Sequence, residues 1–85
     1  MAWWHGADIS ARDIIWTLEN ASSSTSVLFR LVMDQFVYQV GTTPKEFLNT
    51  KAHRKDLERV LLLREGFPVV DFVVDLTSAC KGKML

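Results

Sequence analysis

The chain has 85 residues, of which 48% are hydrophobic, and its 10 basic and 10 acidic residues give a formal net charge of zero. This length predicts a single small domain over residues 1–85, and so high an apolar content argues against a disordered chain. Zero net charge argues against general nucleic-acid binding and membrane steering, which usually need excess positive charge. It also gives little electrostatic protection against self-association.

The cysteine content and the first residues indicate the compartment. Cys80 is the only cysteine, so no internal disulfide can form, which favours a reducing environment. The N-terminus lacks a basic region followed by an apolar run, and no apolar run approaches the length of a membrane span. We therefore expect an intracellular protein of the cytoplasm or nucleus with no membrane contact.

Residues 1–8 are predicted to form an N-terminal arm that carries two adjacent tryptophans, Trp3 and Trp4, followed by His5. One interpretation is that the indoles dock onto the domain and close its core. The other is that they anchor a partner protein, because tryptophan is enriched among interface hot spots. Trp4 is therefore a candidate interface residue.

The first helix is predicted over residues 11–19. Ser10 is a suitable N-cap, Asp13 nearly completes a capping box, and Asn20 suits a left-handed helix end. Trp16 lies off the apolar stripe, so it either meets another helix or faces solvent. The stripe itself consists of Ala11, Ile14, Ile15 and Leu18.

The most apolar segment, residues 26–40, is expected to be the centre of the fold. Ser24 or Thr25 can begin a helix there, and Gly41 suits its left-handed end. Apolar side chains also flank the main stripe, so this helix is expected to be buried on several sides. The stripe consists of Phe29, Val32, Met33, Phe36 and Val40.

A hairpin of strands 27–32 and 36–40 is the alternative for this segment, because it is rich in valine and aromatic residues. A tight hairpin needs turn residues that accept positive φ, and residues 33–35 offer none. The capping residues on both sides favour the helix.

The clearest local signal lies between residues 41 and 46. Gly41 ends one helix, Thr43 caps the next, Pro44 takes its first position, and Glu46 can bond back to the Thr43 amide. We expect this short helix to be followed by a break or exposed stretch near residues 49–53. A second helix then spans residues 54–64 and ends at Gly66.

The last element is predicted as a helix over residues 69–81. Pro68 suits its first position, Lys81 with Gly82 suits its end, and residues 82–85 form a short tail. A strand over residues 69–76 is the alternative because of the valines, and with two doubtful segments as strands the order becomes α-β-β-α-β. The helical stripe consists of Val69, Phe72, Val73, Leu76, Ala79 and Cys80.

Residues 45–65 carry six basic and four acidic residues, an excess of two positive charges. The basic ones could meet phosphates, although Glu58 is placed to pair with neighbouring cations and no aromatic residue is interleaved with them. Candidate nucleic-acid contacts in this basic segment, residues 51–59, are Lys51, Arg54, Lys55 and Arg59, and His53 lies among them.

No pattern of catalytic or metal-binding residues emerges. Asp71 and Asp75 share a helix face, but acid–base work needs burial and a pocket, so they read as a polar edge. Cys80 falls on an apolar stripe, which favours a buried and inert thiol. The two histidines and one cysteine are too widely separated for a metal site. We expect no enzyme activity and no cofactor.

The segment 53–64, HRKDLERVLLLR, resembles the last helix of some histone-fold proteins. That family needs a long unbroken helix just before it, and here Gly41, Thr42, Thr43 and Pro44 interrupt the chain. The resemblance covers about a seventh of the chain, and no function is carried over from it.

The sequence therefore predicts an all-α fold, a small bundle of four to five short helices around a central apolar helix. Its apolar side chains exceed what short neighbours can cover, and such patches usually mark interfaces. The predicted function is a protein–protein interaction module (a small adaptor, inhibitor or assembly subunit). It would act mainly with itself as a homodimer or larger oligomer, or with another protein. The alternative is a nucleic-acid-binding regulator. Interface candidates are Trp4, Trp16, Phe36 and Tyr38.

Overall fold

The computed structural model describes residues 9–84, with side chains described for residues 9–78. The predictions for the N-terminal arm with Trp3, Trp4 and His5, and for the side chains of Ala79 and Cys80, lie outside these residues.

Within residues 9–84 the regular structure is entirely helical, which confirms the predicted all-α bundle. The alternative α-β-β-α-β order is wrong, because both doubtful segments are helices. The five helices are α1 (Ala11–Asn20), α2 (Ser24–Val40), α3 (Pro44–Asn49), α4 (Lys51–Glu65) and α5 (Val69–Met84).

Helix α2 contacts each of the other four helices, which confirms its central position. Phe29, Val32 and Met33 of its predicted stripe are buried. Val40, the last residue of that stripe, is 50% exposed. The expected burial on several sides is wrong, because Leu31 and Tyr38 are 55% and 88% exposed. The neighbouring helices cover the Phe29 side of α2 and leave the opposite side to solvent.

Helices α2 and α5 pack antiparallel through aromatic side chains. The rings of Phe29 and Phe72 stack with centroids 4.0 Å apart and an interplanar angle of 15°. Further along, Ser26 of α2 lies beside Asp75 of α5, so residue numbers rise on one helix as they fall on the other. This stack forms the middle of the core, whose other fully buried large side chains include Ile14, Phe47, Leu48, Leu57, Leu61 and Leu76.

Two predicted helix ends shift for local reasons. Ser10 caps α1 as expected, accepting from the Asp13 amide at 3.1 Å. Asn20 stays helical, and its side-chain amide donates to the Trp16 carbonyl at 2.8 Å, so no left-handed residue is needed there. The N-cap of α2 is Ser23, one residue before the predicted start, and it accepts from the Ser26 amide at 3.1 Å.

Both glycine stops are confirmed, with φ of 75° at Gly41 and 64° at Gly66. Thr43 caps α3 as predicted, but the Glu46 carboxylate accepts from the Thr42 hydroxyl at 3.1 Å instead of completing the capping box. Residues 49–52 of the predicted stretch 49–53 are exposed, as expected. The break between the helices is only Thr50, because its amide and hydroxyl bond the Phe47 and Glu46 carbonyls of α3.

Helix α5 also differs from its predicted bounds. Pro68 lies immediately before the helix, and its carbonyl accepts from the Asp71 amide at 3.0 Å. At the other end Gly82 does not stop the helix, so residues 82–84 belong to α5 and not to a tail. Glycine lowers helix propensity by only about 1 kcal/mol, which a continuing helix can tolerate.

Candidate functional site

The predicted interface residues that the structure describes, Trp16, Phe36 and Tyr38, do not form one patch. Tyr38 is 88% exposed, whereas Phe36, two residues earlier on α2, is half-buried with its ring centroid 6.0 Å from that of Phe47. On an α-helix, side chains two residues apart point about 200° away from each other, so the rings of Phe36 and Tyr38 lie on opposite sides. Trp16 is half-buried on α1, in a depression that is also lined by Arg12, Ile15, Glu19 and Lys45.

One side of α2 is apolar and uncovered. Val27 is 43% exposed and Leu31 55% exposed, and with Tyr38 they follow the spacing i, i+4 and i+11. Helical geometry places all three opposite the buried Phe29, and the exposed Asp34 falls on the same side at i+7. We call Val27, Leu31, Asp34 and Tyr38 the α2 outer face; sequence reasoning singled out only its tyrosine.

A second uncovered side runs along α4. Lys51, Lys55 and Arg59 are exposed at successive i, i+4 and i+8 positions. Leu62 and Leu63, 53% and 74% exposed, continue this side towards the end of the helix. We call these five residues the α4 outer face. A surface depression of about 370 Å³ along it is lined by Lys55, Glu58, Arg59, Leu62 and Leu63.

Arg54 does not belong to this basic face, contrary to its prediction as a nucleic-acid contact. It is only 5% exposed, its Nε donates to the Leu48 carbonyl, and its Nη2 donates to the Ile9 carbonyl at 3.1 Å. Burial lowers the pKa of the Arg54 guanidinium. The side chain ties the end of α3 to the segment before α1. Arg54 lies three residues before the buried Leu57 and so on the same side of α4, a position that indicates burial.

His53 also turns away from the basic surface. Its ring stacks on Phe47 with centroids 4.7 Å apart and an interplanar angle of 11°. Its Nδ1 is buried and has no hydrogen-bond partner among the described residues. The predicted group of four cations and one histidine therefore divides into three exposed cations and two residues that pack inward.

The two α5 carboxylates have different surroundings. Asp71 is exposed, as a polar edge predicts, whereas Asp75 accepts hydrogen bonds from the hydroxyls of Ser23, Thr25 and Ser26. Those bonds, Ser23 first and then Thr25, lower the pKa of Asp75 against the opposing effect of burial. A carboxylate with a lowered pKa is a poorer base, and these hydrogen bonds join the start of α2 to α5.

In the part of the chain that the structure describes, no three histidine, cysteine, aspartate or glutamate side chains come together as metal ligands. None of the helices, over the residues described, combines the length and apolar character needed to cross a membrane.

Comparison with known proteins adds no further assignment. No protein-family model, no curated protein and no solved structure matches the chain. The α2 and α4 outer faces are therefore the candidate functional surfaces of this protein.

Proposed function

We propose that this protein is a non-enzymatic protein–protein interaction module that self-associates through the α2 outer face. The supporting observation is the alignment of Val27, Leu31 and Tyr38 on the solvent side of the helix that holds the bundle together. Scattered exposed apolar residues are ordinary on soluble proteins, whereas here three lie on one side of a single rigid helix, with Asp34 between Leu31 and Tyr38.

The composition of this face suits an interface. A tyrosine contributes a large apolar area with few rotatable bonds, and aromatic residues of this kind are enriched among hot spots. Removing apolar surface from water favours association by about 25 cal/mol per Å² of apolar area buried. The chain has no net charge, so two copies meet little electrostatic repulsion.

The α2 outer face is also complementary to itself. In a two-fold dimer each residue i that meets residue j is matched by j meeting i. An antiparallel pairing centred on the middle of α2 brings Val27 of one copy to the level of Tyr38 of the second copy. A shift of one residue from that register, about 1.5 Å along the helix, brings Arg30 to the level of Asp34, and both side chains are exposed. An antiparallel arrangement near the middle of α2 therefore brings both pairs close to the same level.

A contact between one pair of helices buries less surface than a standard protein–protein interface. We therefore expect this interface to bury less than about 1,200 Å² in total, in the range of weak complexes. We expect a dissociation constant on the order of 10 µM, which suits a module that assembles as its concentration rises.

Size-exclusion chromatography with light scattering, from about 10 µM to about 500 µM, tests the proposal. The wild-type mass should rise from monomer towards dimer, while L31S/Y38S should stay monomeric. The control L63S/V74S removes equally exposed apolar side chains from α4 and α5 and should behave like the wild type. A wild-type monomer at the highest concentration, or equal loss in both double variants, would overturn it.

A charge exchange tests the antiparallel register. R30D and D34R should each weaken association, because each places like charges opposite one another. The double variant R30D/D34R restores opposite charges across the two-fold axis and should recover most of the wild-type dimerisation. Failure of this recovery, with self-association otherwise intact, would reject the antiparallel register.

A further inference from the structure

We propose that the α4 outer face binds an acidic, amphipathic helix of a partner protein. This surface lies on a different helix from the α2 outer face, so a partner can bind it whether or not the protein self-associates. The order of the charges and leucines along α4 and the exposure of each side chain support the proposal.

The charge pattern fits a row of carboxylates. Lys51, Lys55 and Arg59 repeat once per helical turn and extend over about 12 Å. A partner helix with glutamates at i, i+4 and i+8 has the same repeat, so its carboxylates can meet the cations one by one. Arg59 can also hold a carboxylate by two parallel hydrogen bonds, which makes that contact the most directional of the three.

The apolar end of the face supplies the anchor. Leu62 and Leu63 lie about one turn beyond Arg59, and Leu63 is 74% exposed. Together with Lys55, Glu58 and Arg59 they line the depression of about 370 Å³. A large apolar side chain one turn beyond the partner's acidic row can enter it. The partner's acidic end therefore lies towards Lys51 and its apolar end towards Leu63.

Nucleic acid fits this face less well. Leu62 and Leu63 would make no favourable contact with phosphate groups. Arg54, which would have added a fourth cation to this face, instead donates to the Ile9 and Leu48 carbonyls. Helix α4 has no phenylalanine, tyrosine or tryptophan on which a base could stack. The whole chain carries no excess positive charge to support binding to a polyanion.

A membrane surface also fits less well. A helix lying on a bilayer presents apolar side chains along its length, with cations around the edge. On the α4 outer face the cations and leucines follow one another along the axis instead of lying side by side. An acidic segment that ends in large apolar residues has the matching order.

The test uses fluorescence anisotropy with a labelled 15-residue helical peptide that carries glutamates one turn apart followed by leucines. A second peptide has lysines in place of the glutamates. The wild type should bind only the acidic peptide. K55E/R59E should weaken that binding by about tenfold or more and gain binding to the lysine peptide, and L63S should weaken it by about fivefold. Circular dichroism checks that each variant is folded.

The control R12E/K45E makes the same change in net charge on α1 and α3 and should bind the acidic peptide as the wild type does. L31S/Y38S, which should not self-associate, should bind the acidic peptide as the wild type does. The proposal of self-association and the proposal of peptide binding can therefore fail independently. Absence of acidic-peptide binding at about 1 mM, or equal binding by K55E/R59E, would overturn the proposal. Tighter binding to a DNA duplex or to phosphatidylserine vesicles, lost in K55E/R59E, would overturn it in favour of those ligands.

Discussion

The Ser23 hydroxyl caps the start of α2 and donates a hydrogen bond to the carboxylate of Asp75 on α5, 52 residues further along the chain. Thr25 and Ser26 donate to the same carboxylate. The positive end of the α2 dipole favours a negative charge at this position as well. The Asp75 carboxylate thus accepts hydrogen bonds from three hydroxyls at the start of α2 and fixes the position of that helix end relative to α5.

Replacing Asp75 by alanine should lower the free energy of unfolding by about 1–2 kcal/mol, because several hydroxyls lose their charged acceptor and Ser26 is buried. The matched control is D71A, the same change at an exposed position one turn earlier on α5. It should cost no more than about 0.5 kcal/mol. Urea unfolding followed by circular dichroism measures both, and equal effects would show that the hydroxyl cluster contributes little.

The same carboxylate predicts a loss of stability in acid. The pKa of Asp75 is lowered in the folded protein, chiefly by the Ser23 and Thr25 hydroxyls. The unfolded chain therefore takes up this proton more readily, so the stabilisation is present above about pH 4 and lost as pH falls through the folded pKa. Between about pH 5 and pH 2.5 the wild type should lose more stability than D75N. D71N should follow the wild-type curve, and parallel curves for all three proteins would contradict the prediction.

Local signals predicted the helices because each depends on a few neighbouring residues. Apolar periodicity and the stops at Gly41 and Gly66 identified the helical segments, and Thr43 identified the start of α3. The bond between Asn20 and the Trp16 carbonyl could not be read in the same way, because asparagine can end a helix either through its backbone or through its side chain. The resulting errors are confined to one or a few residues at helix ends.

The candidate surfaces were harder to predict, because periodicity gives the direction of a side chain but not what covers it. Tyr38 was identified by residue type, whereas the row that it forms with Val27 and Leu31 appears only once α2 is seen to be open on that side. Arg54 was assigned to solvent by its charge, although its place on the Leu57 side of α4 indicated burial, and Asp75 was assigned to the polar edge of α5. Neither the Ile9 carbonyl nor the Ser23 hydroxyl could have been paired with them from spacing alone.

Arg54 should prove structural and not part of a binding surface. R54M leaves the Leu48 and Ile9 carbonyls without their charged donor and should lower the free energy of unfolding by about 2–3 kcal/mol. R54K should fall between R54M and the wild type, because one ammonium group cannot reproduce the planar guanidinium. The exposed control R59M should change stability by less than about 0.5 kcal/mol. Urea unfolding ranks the four proteins, and equal stability of R54M and R59M would contradict this role.

Gly66 should be required for its backbone conformation alone. Its φ is 64°, and a Cβ at this position would have no heavy atom within 4 Å, so G66A introduces strain without a clash. We expect a loss of about 1 kcal/mol, and a smaller loss for G66N, because asparagine tolerates the left-handed region better than alanine. G41A should behave like G66A, since Gly41 has φ of 75° and is equally open. Thermal unfolding tests the order, and alanine as stable as glycine at either site would contradict it.

Phe29 and Phe72 should be energetically coupled, because their fully buried rings stack 4.0 Å apart in the middle of the core. F29L and F72L should each lower the free energy of unfolding by about 2 kcal/mol, through the lost ring contact and imperfect repacking. The double variant should lose about 1 kcal/mol less than the sum of the two, since the stack can be removed only once. Y38L, an aromatic change on the exposed side of α2, should stay within about 0.5 kcal/mol of the wild-type monomer. Urea unfolding at a concentration below dimerisation supplies all four values, and strict additivity would show that the stack adds nothing beyond burial.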